Sequence, residues 1–339
     1  MNYFSVCDGI GAAHAALLPL GYRCVGVSEI DKYCKQLIEE KYEGKIKNYG
    51  DFNEWRRSAN EWKRKELGEA IHSANLIIGG TPCQPFSIIG KRDGTKDPRS
   101  DVTFNFICAT CWHFPQWFVW ENVPGILSID GGGYFRRMLA QFTKCGYGVA
   151  WRVLDAQFFG VPQRRRRVYV VGCFGDPVRA GRVLFDTETV PLLTKKLPKA
   201  KHNNSRAAAK YFGSNRRVSG TVMSNYSSGV NSDRVNMIVI DKSGTILARQ
   251  GRGVCKQTIN TLAITNGRAR RLTPLECERL QGFPDGYTAG FSNHQRYKML
   301  GNSMPVPVIR WIGERILREE SQDRQSLPEK LNNDYIKEN

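Results

Sequence analysis

Nothing in these 339 residues offers a membrane span, because no apolar run approaches the roughly 18 to 20 residues that crossing a bilayer takes. The N-terminus also lacks the basic-then-apolar order of a signal peptide, so a cytoplasmic location and no membrane partner are expected. Metal-type cysteine spacing occurs at Cys108 and Cys111, yet the second Cys pair or the His-x-x-x-His that zinc would need does not follow. The neighbouring Phe106 and Trp112 suggest a buried helix there, and no metal is expected. Ten cysteines scattered through a chain without an export signal are expected to be reduced thiols. No internal repeat is visible.

Acidic residues are the other shortage. Asp and Glu number 32 against 50 Lys and Arg, for a formal charge of +18. The imbalance is local: residues 195–271 hold sixteen Lys or Arg against only Asp233 and Asp241, an excess of +14 in a stretch also rich in Gly, Ser, Thr and Asn. A basic surface of that density calls for a polyanion, with a nucleic-acid phosphate backbone as the natural partner. What remains is ordinary globular composition, 41% hydrophobic and 24% charged. The length exceeds what one compact core usually takes, so two unequal lobes are expected.

From residue 2 to about 172, short apolar runs alternate with longer helical patterns, as in a parallel sheet covered by helices on both faces. The runs YFSVC, CVGVSEI, ANLIIGG, WFVWENV, GVAWRVL and VYVVGC read as strands, and segments near 12–20, 31–41, 54–70, 101–113 and 133–145 as helices. The fold class is therefore α/β, doubly wound, with its chemistry in the loops beyond the carboxyl ends of the strands. After about residue 185 the alternation stops, and residues 186–270 read as a smaller, mainly β or irregular domain. In RLTPLECERLQGF, Thr273 offers an N-cap, Pro274 a first helical residue and Glu276 the other half of a capping box. A further apolar helix, near 305–318, returns to the large lobe. The domains are thus 1–185, 186–270, the returning helices of 271–320, and a polar tail, 321–339, that looks frayed from Glu319 onward.

Four stretches carry chemistry. In CDGIGAAHAAL, Gly9 and Gly11 permit a tight turn and close approach of a ligand to backbone. Glu29 ends the next strand twenty residues after Gly9, the spacing at which a carboxylate reaches both hydroxyls of a ribose. A nucleoside-containing cofactor follows, although NAD and S-adenosylmethionine are not separated by this feature. The loop GGTPCQPFS sets Cys83 between two prolines just beyond a strand, which stiffens the backbone around a thiol suited to adding to carbon 6 of a pyrimidine. WENVPG puts Glu121 in the adjacent loop, where Trp120 and Val123 could limit water and raise its pKa, as a general acid toward ring nitrogen 3 requires. In VPQRRRRVYV, Gln163, Arg165 and Arg167 share one face of an extended segment, and Arg164 and Arg166 take the other. Arginine facing the crevice can bind a base carbonyl or a phosphate and stabilise a thiolate.

In their order along the chain, GGTPCQPFS, ENV, QRRRR, RLTPLECERLQGFP and MLGNSMPVP resemble the motifs of the cytosine-5 DNA methyltransferases of bacteria and phages, and the resemblance covers nearly the whole chain. It implies a Rossmann-like domain that uses S-adenosylmethionine as cofactor, with residues 186–270 as target recognition domain. It makes Cys83 the nucleophile, Glu121 the acid and Arg165 the contact to the base carbonyl, supported by Arg167. Around the cofactor it places Cys7, Asp8, Gly9, Ile10 and Gly11, then Glu29 on the ribose with Ile30 beside it. Asp51 lies near the adenine amino group with Phe52, and Pro82, Asn302 and Ser303 complete the site. Ser87, Lys91, Arg99, Gln163, Arg249 and Arg252 would face double-stranded DNA, from which the target base is flipped. A monomer is expected, with a cognate restriction endonuclease as a candidate partner. A tRNA cytosine-5 methyltransferase and a catalytically silent DNA-binding relative are the competing readings, and the basic 77-residue segment argues against the first.

The sequence departs from this pattern at Cys7, where the family usually carries an aromatic residue, so Phe52 or Ile30 would have to cover the adenine. Replacing Cys7→Phe is expected to tighten cofactor binding in titration calorimetry; unchanged or weaker affinity would refute the assignment.

Overall fold

The computed structural model describes residues 1–56, 60–82, 102–185 and 272–323 in detail, and the helix ends at 57, 100–101 and 324–326 and four short strands within 221–271 by their backbone alone. The large lobe runs β1 (Asn2–Val6), α1 (Ala12–Leu17), β2 (Arg23–Ser28), α2 (Lys32–Lys41), α3 (Glu54–Arg57), α4 (Glu61–His72), β3 (Leu76–Gly80), α5 (Ser100–His113) and β4 (Trp117–Asn122). It continues through α6 (Gly133–Lys144), β5 (Tyr147–Asp155), β6 (Gln163–Arg164), β7 (Arg166–Phe174) and α7 (Pro177–Phe185). After β8 (Thr221–Met223), β9 (Ser243–Leu247), β10 (Leu262–Thr265) and β11 (Arg268–Arg271) come α8 (Pro274–Gln281), α9 (Asn293–Asn302) and α10 (Val306–Ser326). None of the described helices is long and apolar enough to cross a membrane.

Six strands form one sheet in the order β2-β1-β3-β4-β7-β5. All six coincide with the apolar runs read from the sequence, but the sheet is mixed where a parallel one was expected: β7 runs antiparallel to both β4 and β5. The reason is the short connection. Residues 156–165 separate β5 from β7, fewer than the dozen or more that a parallel crossover takes, so the chain must turn back on itself.

Both faces of the sheet are covered. On one side Ile78, Val119 and Tyr169 pack with Ala13, Val183, Leu280 and Ile309 of the first and last helices. On the other, Ile77, Phe118, Trp120 and Val170 pack with Leu67, Phe106 and Met138 of α4, α5 and α6. Between β4 and β7 the fit is tight enough to demand glycine: a Cβ on Gly172 would stand 1.9 Å from the ring of Phe118, its partner across the ladder.

The sequence located the start of α8 correctly, and both halves of the Thr273–Glu276 capping box form. It missed α7 and α9. It also ended the last helix too early, since α10 continues to Ser326. Polarity misled there. Glu319 and Glu320 do not fray into solvent but pair with Arg182 and Arg179 on α7, and Trp117 Nε1 donates to Glu320. The expectation of reduced thiols fails at Cys111 and Cys145, which form a disulfide between the ends of α5 and α6 with Cα atoms 5.5 Å apart. Thirty-four residues separate them, and only the packing of the two helices brings them together. Cys7, Cys24, Cys34, Cys108, Cys173 and Cys277 are free.

One polar cluster sits wholly inside this core. His14 of α1 lies 3.0 Å from Asp8, with neither side chain exposed, and its other ring nitrogen meets the hydroxyl of Tyr3. Burial alone would strip the charge from this imidazole, but the Asp8 carboxylate overrides it and pushes the pKa up to about 10. Because His14 is raised above its ordinary value of 6.5, the stabilisation is complete below that pH and fades as pH climbs toward about 10. A His14→Gln variant should be less stable by about 3 kcal/mol near neutrality, the usual cost of orphaning a buried charge. Its melting temperature should converge on the wild type's between pH 7 and 10; a constant gap would show that the pair is uncharged.

Candidate active site

The carboxyl ends of β1, β2, β3 and β4 open on one crevice. After β1 the backbone turns through left-handed conformations at Cys7 (φ 54°), Gly9 (φ 62°) and Gly11 (φ 78°). The first is costly for a residue with a side chain, and Gly11 has no room for one, since a Cβ would lie 2.6 Å from Ile38. Glu29, one residue beyond β2, fastens this loop. Its Oε2 accepts the Gly9 N–H at 2.7 Å, and its Oε1 accepts the N–H groups of Ile30 and Asp31, each at 2.8 Å. Burial raises the Glu29 pKa against the pull of those amides. Cys7 stands close enough to Glu29, Asp51 and Asp8 for their charges, together with burial, to hold its thiol protonated.

Several expected cofactor residues point elsewhere. Asp8 turns inward, its Oδ1 accepting from Ser5 at 2.6 Å and its Oδ2 facing His14, so it shapes the loop and does not present its carboxylate to a ligand. Ile10 is wholly buried, and its carbonyl accepts from the Tyr287 hydroxyl at 2.8 Å, which ties the glycine loop to the C-terminal segment. Phe52 is only 2% exposed and packs on Phe4 in the core, whereas Ile30 is 72% exposed at the crevice rim. Of the two proposed covers for an adenine, Ile30 alone is available. Asp51 accepts the Asn53 N–H at 2.9 Å on Oδ1.

On the other side of the crevice, ladder register decides what meets what. Gly80 pairs with Glu121 and Glu121 with Tyr169, so the end of β3, the acid on β4 and the arginine strand β7 stand side by side. Glu121 is 7% exposed, with Oε1 3.0 Å from Arg167 Nε. Burial raises its pKa even though Arg167 and Arg165 pull it down, in agreement with the expectation from WENVPG. The shielding does not come from Trp120, which points to the opposite face. Gly80 leaves the needed space, as a Cβ there would crowd Glu121 Oε2 at 3.0 Å.

The two arginines divide differently from the sequence reading. Arg165, expected at the base carbonyl, is 2% exposed and donates to the carbonyls of Gly301 (3.2 Å) and Ser303 (2.7 Å) at the end of α9. Arg167 is the one beside Glu121. Both share a face as expected, but two residues along an extended strand carry Arg165 past the acid and under the returning helix. Ser303 is buried with its hydroxyl on the Met304 carbonyl, and Asn302 is exposed beside it. Gln163 is fully buried and presents no amide for DNA. Pro82 is half-buried. Cys83, Ser87, Lys91, Arg99, Arg249 and Arg252 lie outside the described residues.

Sequence reading missed the polar groups that hold these loops. Thr81 Oγ1, just before Pro82, accepts from Trp120 Nε1 at 3.0 Å and lies 3.4 Å from Asn122 Nδ2. With its lone pairs so used, its own proton is left for Thr103 Oγ1 at 2.8 Å. Asn48 likewise braces Glu29, with Nδ2 donating to the Glu29 carbonyl at 3.1 Å. No motif marks such residues, since their partners are distant in sequence.

The profile of the C-5 cytosine-specific DNA methylase family matches residues 1–318. The chain is 28% identical to a protein of Escherichia phage P1 named DNA N-6-adenine-methyltransferase, over 93% of this chain but only 61% of that longer protein. It is 29% identical to type II methyltransferase M.DsaV of Dactylococcopsis salina, over 94% of this chain and 86% of the relative. The fold superposes on the crystal structure of the Dnmt2 methyltransferase of S. pombe with a TM-score of 0.63 at 18% identity, covering 94% of this chain and 98% of that one. The chain therefore belongs to the C-5 cytosine-specific DNA methylase family, and its activity is that of a DNA (cytosine-5-)-methyltransferase.

Proposed function

We propose that the chain methylates carbon 5 of a cytosine flipped out of a short double-stranded DNA sequence, through a covalent bond to Cys83, with S-adenosylmethionine as methyl donor. The observation that carries this reading is the Glu121–Arg167 pair, a buried carboxyl with a raised pKa beside a guanidinium. It stands on the strand next to the one that leads into Pro82 and Cys83. Residues 186–270 contribute the basic recognition surface. The chain acts as a monomer in the cytoplasm, and a cognate restriction endonuclease fits relatives named as type II enzymes.

The residues around the glycine loop suit the donor. Bare backbone at Gly9 and Gly11 admits close approach, Glu29 and Asp51 offer carboxylate oxygens to hydroxyl and amino donors, and exposed Ile30 offers an apolar cover. S-adenosylmethionine, when bound, supplies an electrophilic methyl group.

The base chemistry falls to the chain's own groups. Cys83 adds as thiolate to carbon 6 while Glu121 delivers its proton to ring nitrogen 3, and carbon 5 thereby gains enamine character and nucleophilicity. After methylation, loss of the carbon 5 proton and elimination of Cys83 restore the aromatic ring, and ring nitrogen 3 returns its proton to Glu121. Arg167 takes the role first assigned to Arg165, holding the base carbonyl and orienting Glu121. Arg165 positions the Gly301–Ser303 turn.

Incubation with unmethylated plasmid and S-adenosylmethionine, followed by bisulfite sequencing, should reveal cytosines protected within one short sequence. Label entering only tRNA, or appearing only as N6-methyladenine, would overturn the reading. Glu121→Gln should lower turnover by about 100-fold or more, the range of a lost general acid. Wild-type turnover should also decline as pH rises through the elevated Glu121 pKa, because the neutral form donates, and this limb should vanish in the variant.

A further inference from the structure

We propose that Asn48 is the positioning residue that sets the separation of Glu29 from Asp51, and with it the choice of nucleobase in the methyl donor; the inference rests on the reading that these two acids hold the donor's nucleoside. Asn48 belongs to no strand, yet its segment lies along β2 as a one-rung parallel partner, opposite Val27. Its side-chain amide then extends that rung. Oδ1 accepts the Glu29 N–H at 3.1 Å, and Nδ2 donates to the Glu29 carbonyl at 3.1 Å, so the amide pairs with a residue's backbone as a neighbouring strand would.

The same Oδ1 also accepts the Gly50 N–H at 2.9 Å. Ser28 Oγ donates to the Gly50 carbonyl at 2.7 Å, so both backbone groups of this left-handed residue (φ 79°) are held by side chains, the N–H by Asn48 and the carbonyl by Ser28 of β2. Asp51 follows directly. The route from one carboxylate to the other therefore runs through a single amide, which contacts the residue bearing the first and the residue before the second. Only Asn meets all three contacts in this space: Asp lacks the donor and would set its charge against the Glu29 carbonyl, and Leu, nearly isosteric, offers neither donor nor acceptor.

A carboxylate at Asp51 accepts a hydrogen bond from the amino group of adenine and repels the carbonyl oxygen that hypoxanthine carries at the same position. The wild type should therefore bind S-adenosylhomocysteine more tightly than S-inosylhomocysteine by about tenfold or more, as a charge-assisted contact implies. Titration calorimetry with both compounds tests the inference. Asp51→Ala should abolish the preference, and Asn48→Leu should lose most of it while keeping a cooperative melt. Retention of the full preference by Asn48→Leu, with loss in Asp51→Ala, overturns the proposal alone. Absence of preference in the wild type overturns the reading of Asp51 and the proposal with it. Should Asn48→Leu not melt cooperatively, Asn48→Ala, which removes all three contacts, takes its place, and a full wild-type preference there is equally fatal.

Discussion

The carboxyl of Glu121 and the guanidinium of Arg167 share a site that water scarcely reaches, and their pairing constrains everything around them. Taking the guanidinium out of water without a partner would cost several kcal/mol, so the fold must deliver both groups at once. It does so through register. A slip of one residue between β4 and β7 would turn every side chain of the slipped strand to the opposite face and leave each charge alone among apolar groups. The nine-pair ladder of β5 and β7, and the glycine at 172 that receives the Phe118 ring, hold that register from below. Gly80 keeps the space open from the side.

Strand β4 serves two purposes because its side chains alternate. Glu121 faces the crevice, while Trp120 and Asn122 reach the opposite way and converge on Thr81. The hydroxyl of Thr81 thus anchors the start of the proline-bounded loop by the same strand that carries the acid. Loop and acid are placed relative to one another through one turn of backbone, with no long lever between them. Arg165 extends the linkage to the other end of the chain, clamping the carbonyls after α9 against the sheet.

The donor side follows a similar economy. Glu29 receives three backbone N–H groups before any ligand arrives, so its carboxylate is already oriented, and its burial keeps the pKa above the usual range. Beneath the loop, the charged Asp8–His14 pair replaces what an apolar core would otherwise supply. Tyr287 and Lys298, from the C-terminal segment, meet Ile10 and Asp31, so this half of the crevice is closed by residues 277 and 267 positions away.

Local pattern made much of this legible. Six strands, most of the helices and the capping box at Thr273 depend on neighbours within a few residues, which periodicity and capping chemistry encode directly, and the acids Glu29 and Glu121 were marked by their places at strand ends. The motif order along the chain was enough for the family. Sequence alone could not decide which arginine meets the acid, because Arg165 and Arg167 share a face and differ only in what lies opposite. Nor could it sink Phe52 into the core, insert β7 between β4 and β5, carry α10 to Ser326 or join Cys111 to Cys145. Each of these depends on contacts between segments far apart in the chain, and such contacts exist only once the sheet has chosen its register and the helices have packed on it.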